Sequence, residues 1–380
     1  MAKTVIELPL VQQHLGTRRS LTVHRYGTPG ARPKAYIQAG LHANEIPGML
    51  VAHHLIARLD EADQAGAIRG EILVVPVANP IGLDQYVAGE LVGRHSLDRG
   101  GNFNRGFADL SDIVAARIDG RLGNDPAANV ALIRSELGSA LSERRPDTAL
   151  GSLRDSLQGL AADADMVLDL HCDSESVLHF YIAEDLWPEA ADLAAQLDCQ
   201  AVLYANDSSG EPFDEACSMI WWKLRARFEN RYPIPSACLS ATIELRGRLD
   251  VNDAVAAGDA DNLLRFLRRR GVVEGDPGPL PSFSGTATPL AGSERLTAPC
   301  PGVIAFHHAA GDHVRAGDVI ADIVDPSAID PATARIPVIC HTDGLLWART
   351  MARIAAAGEI IASVAGMEIR TNNGATLLTP

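Results

Sequence analysis

Short apolar runs alternate with helical patterns over residues 1–275 of the chain. The apolar runs are rich in β-branched residues, as buried strands are, and lie at 35–39, 71–77, 166–170, 177–183, 201–204 and 241–245. Apolar residues at helical spacing predict helices at 48–59, 188–197, 212–228 and 254–270. This alternation predicts an α/β fold with a mixed, mostly parallel sheet that is flanked by helices.

Two regions depart from this alternation. Residues 106–164 carry a helical pattern that glycine and proline interrupt, so we expect two or three helices connecting strands of the sheet. From residue 274 the composition changes to Gly, Pro and Ser, which is typical of a linker. The change divides the chain into domains at 1–275 and 292–380, joined by a linker at 276–291.

The C-terminal domain contains a weak internal repeat. Segments 302–305 and 316–323 are matched by 344–347 and 357–364, and each half predicts a strand, a turn and a strand. Together they predict an all-β, barrel-sandwich-like domain. The repeat resembles the biotinyl/lipoyl carrier module, but Lys223 is the last lysine, so no lysine is present to carry such a cofactor. We expect the module to be structural, a lid or a homo-oligomer contact.

The 380-residue chain has an ordinary globular composition, 47% hydrophobic and 21% charged, with a formal charge of -15. This acidic balance argues against a nucleic-acid or anionic membrane surface, because such surfaces need a basic stripe. It does not exclude a small anionic substrate, since a pocket can carry arginines of its own. Six cysteines without a CxxC pair, no signal-peptide pattern and no membrane-length apolar run predict a cytoplasmic protein.

A candidate metal site follows two of the predicted strands. His42 and Glu45 come directly after the run at 35–39, three residues apart, and can turn toward one point. His171 lies at the end of the run at 166–170, where α/β sheets place their sites. Each motif alone is weak, because a lone HxxE is mostly chance. Together they predict three ligands for one Zn²⁺ per chain, with an open position for water.

Glu244 lies inside the apolar run at 241–245. An unpaired carboxylate in a buried strand is costly, so it should titrate or face a polar cavity. We expect it to act as a general base for the water that attacks the substrate. The alternative is a structural salt bridge to Arg246 or Arg248.

A turn-rich loop supplies the other candidate groups. Asn104 and Arg105 lie side by side and can clamp a carboxylate, because a guanidinium binds it in bidentate fashion. A second arginine, Arg94 or Arg99, is a candidate for polarising the scissile carbonyl. The alternative is a solvated basic loop, against which the flanking phenylalanines argue.

The order of these residues resembles that of the succinylglutamate desuccinylase/aspartoacylase family, within the zinc carboxypeptidase-like superfamily. The residues that carry the resemblance are His42, Glu45, Asn104, Arg105, His171 and Glu244. The resemblance implies a zinc-bound triad and hydrolysis of an N-acylated amino acid. It implies that Glu244 activates water and passes the proton to the leaving amine. It also implies that Asn104 and Arg105 hold the substrate carboxylate, while Arg94 or Arg99 assists the carbonyl.

The chain departs from the family pattern at two places. Relatives often have aspartate at the position of Asn102, and they often carry glycines in the stretch 245–248 after the base. Here that stretch contains Arg246 and Arg248. Arg246 is a candidate for binding a second acidic group of the substrate, and a surface ion pair is the alternative. These departures concern the identity of the substrate more than the type of reaction.

The sequence therefore favours a zinc-dependent amidohydrolase that deacylates a small anionic N-acyl amino acid or related carboxylate. A metallocarboxypeptidase acting on peptides is the first alternative, although the β domain would narrow access to its cleft. A non-catalytic binding protein with a degenerate site is the second, and the intact set of ligands and base argues against it.

Overall fold

The computed structural model describes residues 3–98 and 100–369. Up to residue 275 its regular elements are, in chain order, β1 (Thr4–Pro9), β2 (Ser20–Tyr26), β3 (Lys34–Ala39), α1 (Pro47–Gln64), β4 (Glu71–Val75), β5 (Tyr86–Val87), β6 (Glu90–Leu91), α2 (Ser111–Ile118), α3 (Pro126–Glu143), α4 (Ala149–Ala161), β7 (Met166–Asp173), β8 (Glu175–Ser176), β9 (His179–Ile182), α5 (Ala191–Leu197), β10 (Ala201–Tyr204), α6 (Phe213–Arg227), β11 (Leu239–Gly247) and α7 (Asp253–Arg269). The later elements are β12 (Thr286–Pro289), β13 (Ser293–Thr297), β14 (Gly302–Phe306), β15 (His313–Val314), β16 (Val319–Val324), β17 (Arg335–Ile339), β18 (Gly344–Arg349), β19 (Ile354–Ala355) and β20 (Ile360–Ala365).

A nine-stranded sheet in the order β1-β2-β4-β3-β7-β11-β9-β10-β12 forms the centre of the molecule. The four strands β4, β3, β7 and β11 run parallel, and β1, β2 and β9 introduce the antiparallel pairs. Helices α1, α5 and α7 cover one face, and α2, α3, α4 and α6 cover the other, each over its own apolar core. The predicted α/β fold with a mostly parallel sheet is confirmed.

The inner strands were predictable because both of their faces are buried. Every residue of β3 and of β4 is buried, and each strand is mostly apolar, with polar residues only at Lys34, Gln38 and Glu71. The outer strand β1 has only exposed and partly buried positions, and β2 mixes buried with partly buried ones. Both contain several polar residues, and the sequence did not reveal them. The three helices α2, α3 and α4 occupy the region 106–164, where two or three were expected.

The C-terminal elements form two antiparallel sheets, β13-β20-β18-β15 and β17-β16-β14-β19, around a separate apolar core. We call this unit, residues 293–365, the β domain. The two halves of the internal repeat contribute to different sheets. Strands β14 and β16 pair in one sheet, and β18 and β20 pair in the other. The predicted all-β domain is thus a sandwich of two sheets.

Two strand pairings fix the β domain against the large sheet. Strand β12, inside the predicted linker 276–291, pairs in parallel with β10 and forms the edge of the large sheet. Strand β8 pairs with β18 of the β domain. An apolar cluster shared by both domains comprises Val177, Ala201, Leu203, Leu290, Leu345, Trp347, Ala348 and Ala365. Residues 286–289 of the predicted linker are therefore a strand of the large sheet.

Two further findings concern exposed surface. Trp221 on α6 is 1% exposed and packs in the apolar core beneath α2, α3, α4 and α6. No helix in the described ranges is both long enough and apolar enough to cross a lipid bilayer.

Candidate metal centre

The loop that carries His42 is fixed by the residues around it. Gly40 ends β3 with φ +71°, a conformation that glycine adopts without strain. A Cβ at Gly40 would lie 2.7 Å from Cε of Met49, so a larger residue would also crowd α1. On the other side, Asn79 Nδ2 donates to the carbonyl of Leu41 at 2.8 Å. The backbone thus holds His42 at the carboxyl edge of the sheet.

Three predicted ligands converge at this edge. Nδ1 of His42 lies 2.9 Å from Oε1 of Glu45, and Nδ1 of His171 lies 2.8 Å from Oε2 of the same carboxylate. Their potential ligand atoms all lie within 4.8 Å of one another. All three residues are at most 4% exposed. The arrangement presents two imidazoles and one carboxylate to a common point.

The outer nitrogens of both imidazoles have partners of their own. Nε2 of His42 lies 2.6 Å from Oδ1 of Asn102, and Nε2 of His171 lies 2.9 Å from Oδ2 of Asp169, the latter as an ion-pair contact without hydrogen-bond geometry. Asp169 is held in turn by Gln38, whose Nε2 donates to Oδ1 at 2.9 Å. Acceptors at Nε2 favour the tautomer with the proton there and leave the Nδ1 lone pair for a metal.

The electrostatics of the triad fit a divalent cation. Burial lowers the pKa of His42 to about 4, so this imidazole is neutral. Against the effect of burial, Asp169 and Glu45 raise the pKa of His171 well above its usual value. Likewise His42 and His171 hold the pKa of Glu45 well below its usual value although burial opposes them. The buried carboxylates of Glu45 and Asp169 thus favour a positive charge at this point, and a metal cation supplies one. The donor set of two nitrogens and one oxygen suits Zn²⁺.

A cavity of about 300 Å³ opens over these side chains. Both domains line it, with residues that include His42, Arg94, Asn104, Arg105, His171, Tyr181, Asp214, Glu215 and Glu244 from the large domain and Arg295, Trp347 and Ser363 from the β domain. The volume is that of a small-molecule site rather than of an extended groove.

Glu244 faces this cavity from the strand next to His171. The two residues are register partners in the parallel pair of β11 and β7. Oε2 of Glu244 is buried and accepts no hydrogen bond from a described residue. Burial and the neighbouring Glu45 raise the pKa of Glu244 well above its usual value. A carboxylate in this state is suited to accept a proton from a ligand.

Arg246 is not brought to the cavity. The strand is irregular between Glu244 and Gly247, and Arg246 has φ +64°. Its guanidinium makes a bidentate ion pair with Asp259 on α7, at 2.8 and 3.0 Å. The bulge therefore turns Arg246 toward α7, and its position is that of an ion pair, the alternative to substrate binding.

Arg94 contacts two of the candidate metal ligands directly. Its NH1 lies 2.8 Å from Oε1 of Glu45 and 3.1 Å from Nδ1 of His42. The other candidate for this role, Arg99, lies outside the described residues. Of the two arginines left open by the sequence, Arg94 is the one that can be placed at the site.

The Asn104-Arg105 pair also lies at the cavity. Oδ1 of Asn104 accepts from the backbone of Phe213 at 2.8 Å, so its amide nitrogen is the end that can donate to a ligand. Arg105 donates to the carbonyl of Asn104 at 2.7 Å, and burial lowers the pKa of its guanidinium. Backbone bonds from 106 and 107 to 210 and 211 hold the loop. The solvated-loop alternative does not describe this segment.

Sequence reasoning missed several cavity residues. Asp214 and Glu215, at the start of α6, are 5% and 7% exposed. Burial raises their pKa values to about 6 and about 8, with further contributions from Asp169 and Asp214 respectively. Tyr181 and Arg295 were missed as well. Acidic residues in a first helical turn look like ordinary helix starts, and nothing local predicts that the β domain covers the cavity.

The fold and the site define a class: an α/β protein with a candidate metal centre at the carboxyl edge of its sheet, covered by a C-terminal β domain. A profile of the succinylglutamate desuccinylase/aspartoacylase catalytic domain matches residues 31–268. The chain belongs to this family, as its sequence indicated, and the family is one of hydrolases.

Solved structures agree in fold. A candidate succinylglutamate desuccinylase/aspartoacylase from Shewanella frigidimarina NCIMB 400 is 24% identical, with a TM-score of 0.83 over 96% of this chain and 97% of that chain. A family protein from Shewanella amazonensis SB2B gives the same identity and TM-score over 96% and 98%. The ectoine utilization protein EutE (DoeB) from Ruegeria pomeroyi, with product bound, is 18% identical, with a TM-score of 0.67 over 97% and 96%. No match was found among curated proteins.

Proposed function

We propose that the protein is a zinc-dependent amidohydrolase that removes the acyl group from a small N-acyl amino acid or a related carboxylate. The observation that carries the proposal is the position of Glu244. Its unpartnered Oε2 is buried beside His171, in a cavity that also holds arginines. A metal-binding protein without catalysis has no need of such a carboxylate.

The proposed chemistry divides between a metal and the side chains. His42, Glu45 and His171 would hold the ion, and a bound Zn²⁺ supplies Lewis acidity that polarises a carbonyl and acidifies water. Glu244 accepts the proton of the attacking water and later delivers it to the leaving amine. Because the pKa of Glu244 is raised by burial, it holds that proton between the two steps.

The cavity arginines orient the substrate in this proposal. Asn104 and Arg105 bind the carboxylate of the amino acid, since amide and guanidinium donors match its two oxygens. Arg94 leaves Glu45 when a cation is bound there and donates to the developing oxyanion of the carbonyl. The β domain limits the cavity to about 300 Å³, which favours a small substrate over a peptide.

We also propose a cytoplasmic location. All six cysteines are free, four of them on or beside the buried strands and helices of the large domain. A reducing compartment suits a chain in this state.

The test is a substrate panel read out by released amine. It contains N-acetyl, N-succinyl and N-formyl amino acids and short peptides, supplied to zinc-loaded protein. Glu244→Gln should retain about one zinc per chain and lose turnover by about 10²- to 10⁴-fold, the usual contribution of a general base. Glu143→Gln, with an exposed side chain on α3, is the matched control and should be fully active. Turnover of peptides alone, or by Glu244→Gln at the wild-type rate, would overturn the proposal.

A further inference from the structure

The loop that joins β10 to α6, residues 205–212, has an unusual backbone. Three consecutive residues, Ser209, Gly210 and Glu211, have φ values of +81°, +82° and +47°. Glycine adopts this left-handed conformation freely, but the residues on either side of it do so at a cost in free energy. Strained backbone of this kind persists only where surrounding contacts hold it, and it is concentrated at functional sites.

Two backbone hydrogen bonds join this loop to the segment that follows Arg105. The N–H of Gly106 donates to the carbonyl of Gly210 at 2.8 Å. The N–H of Phe107 donates to the carbonyl of Glu211 at 3.2 Å. These bonds hold the strained residues against the Arg105 segment, although the two segments are distant in the chain.

The side chain of Arg105 packs directly on Gly210. A Cβ at Gly210 would lie 2.7 Å from Cδ of Arg105 and 3.3 Å from its Nε. Carbon atoms in contact lie about 3.5 to 4.0 Å apart, so a larger residue would displace the Arg105 side chain by roughly 1 Å. Position 210 therefore requires glycine for two reasons, its positive φ and its close contact with Arg105.

The guanidinium at the end of the same side chain is also held. Its NH1 donates to the carbonyl of Asn104 at 2.7 Å, and Arg105 lines the cavity. Burial lowers the pKa of the guanidinium, and the charges of Asp214 and Glu215 oppose that effect. A cation that is already ordered loses little conformational entropy when it binds a carboxylate.

We propose that Gly210 is a positioning residue for Arg105, and that the strained loop holds the guanidinium where it can bind the substrate carboxylate. The inference rests on the proposed function, because it takes Arg105 as the group that binds this carboxylate. Gly210 acts through Arg105 and not through the metal ligands or Glu244. A substitution at 210 should therefore impair substrate binding and leave the chemical step intact.

The experiment compares Gly210→Ala with Gly120→Ala. Gly120 has φ +69°, and a Cβ there would meet no other residue within 4 Å, so the control adds similar backbone strain without a contact. In Gly210→Ala the KM for N-acetyl amino acids should rise by roughly 10- to 100-fold, as for a lost charge-assisted hydrogen bond, with kcat changed less than about twofold. Gly120→Ala should keep the wild-type KM. Gly210→Asn should repeat the effect with less strain, because asparagine enters the left-handed region more readily, and it replaces the alanine variant if that one does not fold.

Two comparisons show whether Gly210 acts through Arg105. In the Arg105→Ala background, Gly210→Ala should raise KM no further, because the contact is already lost. On N-acetyl amino acid amides, which lack the carboxylate, Gly210→Ala and wild type should have the same KM. A further rise in the double variant, an equal rise on the amides, or an unchanged KM in the single variant would overturn the inference while leaving the deacylase proposal intact.

Crystal structures of the zinc-loaded variants give a readout that does not depend on turnover. In Gly210→Ala the Arg105 side chain should be displaced by about 1 Å or more relative to wild type, and in Gly120→Ala it should not move. If no panel substrate is hydrolysed but the displacement is found, the deacylase proposal fails and the positioning of Arg105 by Gly210 stands. If the side chain stays in place, the inference is refuted whatever the activity.

Discussion

Replacing Asn102 by alanine tests whether the partner of His42 sets the affinity of the site for metal. Oδ1 of Asn102 lies 2.6 Å from Nε2 of His42 and accepts from the backbone of Asn104 at 2.8 Å. The residue is 3% exposed, so water cannot replace it easily. Asn102→Ala therefore frees the imidazole to rotate and to carry its proton on either nitrogen.

The expected magnitude follows from these contacts. Loss of a metal ligand's own hydrogen-bond partner typically lowers metal affinity by about 10- to 100-fold, or about 1.4 to 2.8 kcal/mol. The buried backbone donor of Asn104 loses its acceptor in the same variant, which costs about 1 to 3 kcal/mol of folding stability. Asn102→Asp keeps an acceptor for both the His42 imidazole and the Asn104 backbone. It should bind zinc more tightly than wild type, because a carboxylate makes the imidazole more basic.

The assay is competition for zinc with a chromogenic chelator at neutral pH, alongside urea unfolding. Asn129→Ala is the control, because Asn129 is also buried at 2% exposure but bonds only to the backbone of Gly123 and Pro233. It should lose stability and keep its zinc affinity. The reasoning is refuted if Asn102→Ala binds zinc as tightly as wild type, or if Asn129→Ala weakens binding equally.

Two further predictions concern residues whose positions only the structure revealed. Arg246→Ala should lower the free energy of unfolding by roughly 2 kcal/mol and leave kcat/KM unchanged. The loss is smaller than the full cost of breaking a buried ion pair, because 32% of the Arg246 side chain is exposed. A selective loss on dicarboxylates would contradict this. Burial raises the pKa of Glu215 from 4.5 to about 8, so its contribution to stability is present at pH 5 and is lost as the pH rises to 8. Glu215→Gln should therefore gain thermal stability relative to wild type between pH 5.5 and pH 8.5. The same difference in melting temperature between variant and wild type at both pH values would rule this out.

The positions of the candidate metal ligands were predictable because these residues follow elements with strong sequence signals. Buried parallel strands are recognisable as apolar runs, and their carboxyl ends meet at one edge of the sheet. His42, Glu45 and His171 all follow from that geometry, since each lies just beyond such a run. Glu244 follows for a related reason, because its carboxylate lies in an apolar strand without a partner.

The remaining cavity residues depend on features that local patterns do not encode. Strand alternation predicts that Arg246 shares a face with Glu244 only if the strand continues. The bulge and the positive φ of Arg246 end that regularity and turn the side chain to Asp259. Arg295 and Tyr181 meet only because β8 and β12 fix the β domain over the cavity. Such long-range pairings leave no periodic signal near the residues they bring together.

The cavity is lined by residues of both domains, which has a consequence for how the site would work. Asn104 and Arg105 belong to the large domain and Arg295 to the β domain, so a substrate that fills the cavity would contact both. If the two domains were loosely attached, ligand binding would have to order them, and the cost of that ordering would lower the affinity. Here the strand pairings of β8 and β12 and a shared apolar cluster already hold the domains together. The cavity is therefore formed before the ligand binds, and contacts to the β domain can serve discrimination between substrates. On this reasoning the β domain is a fixed wall that selects the substrate, and not a lid that must close on it.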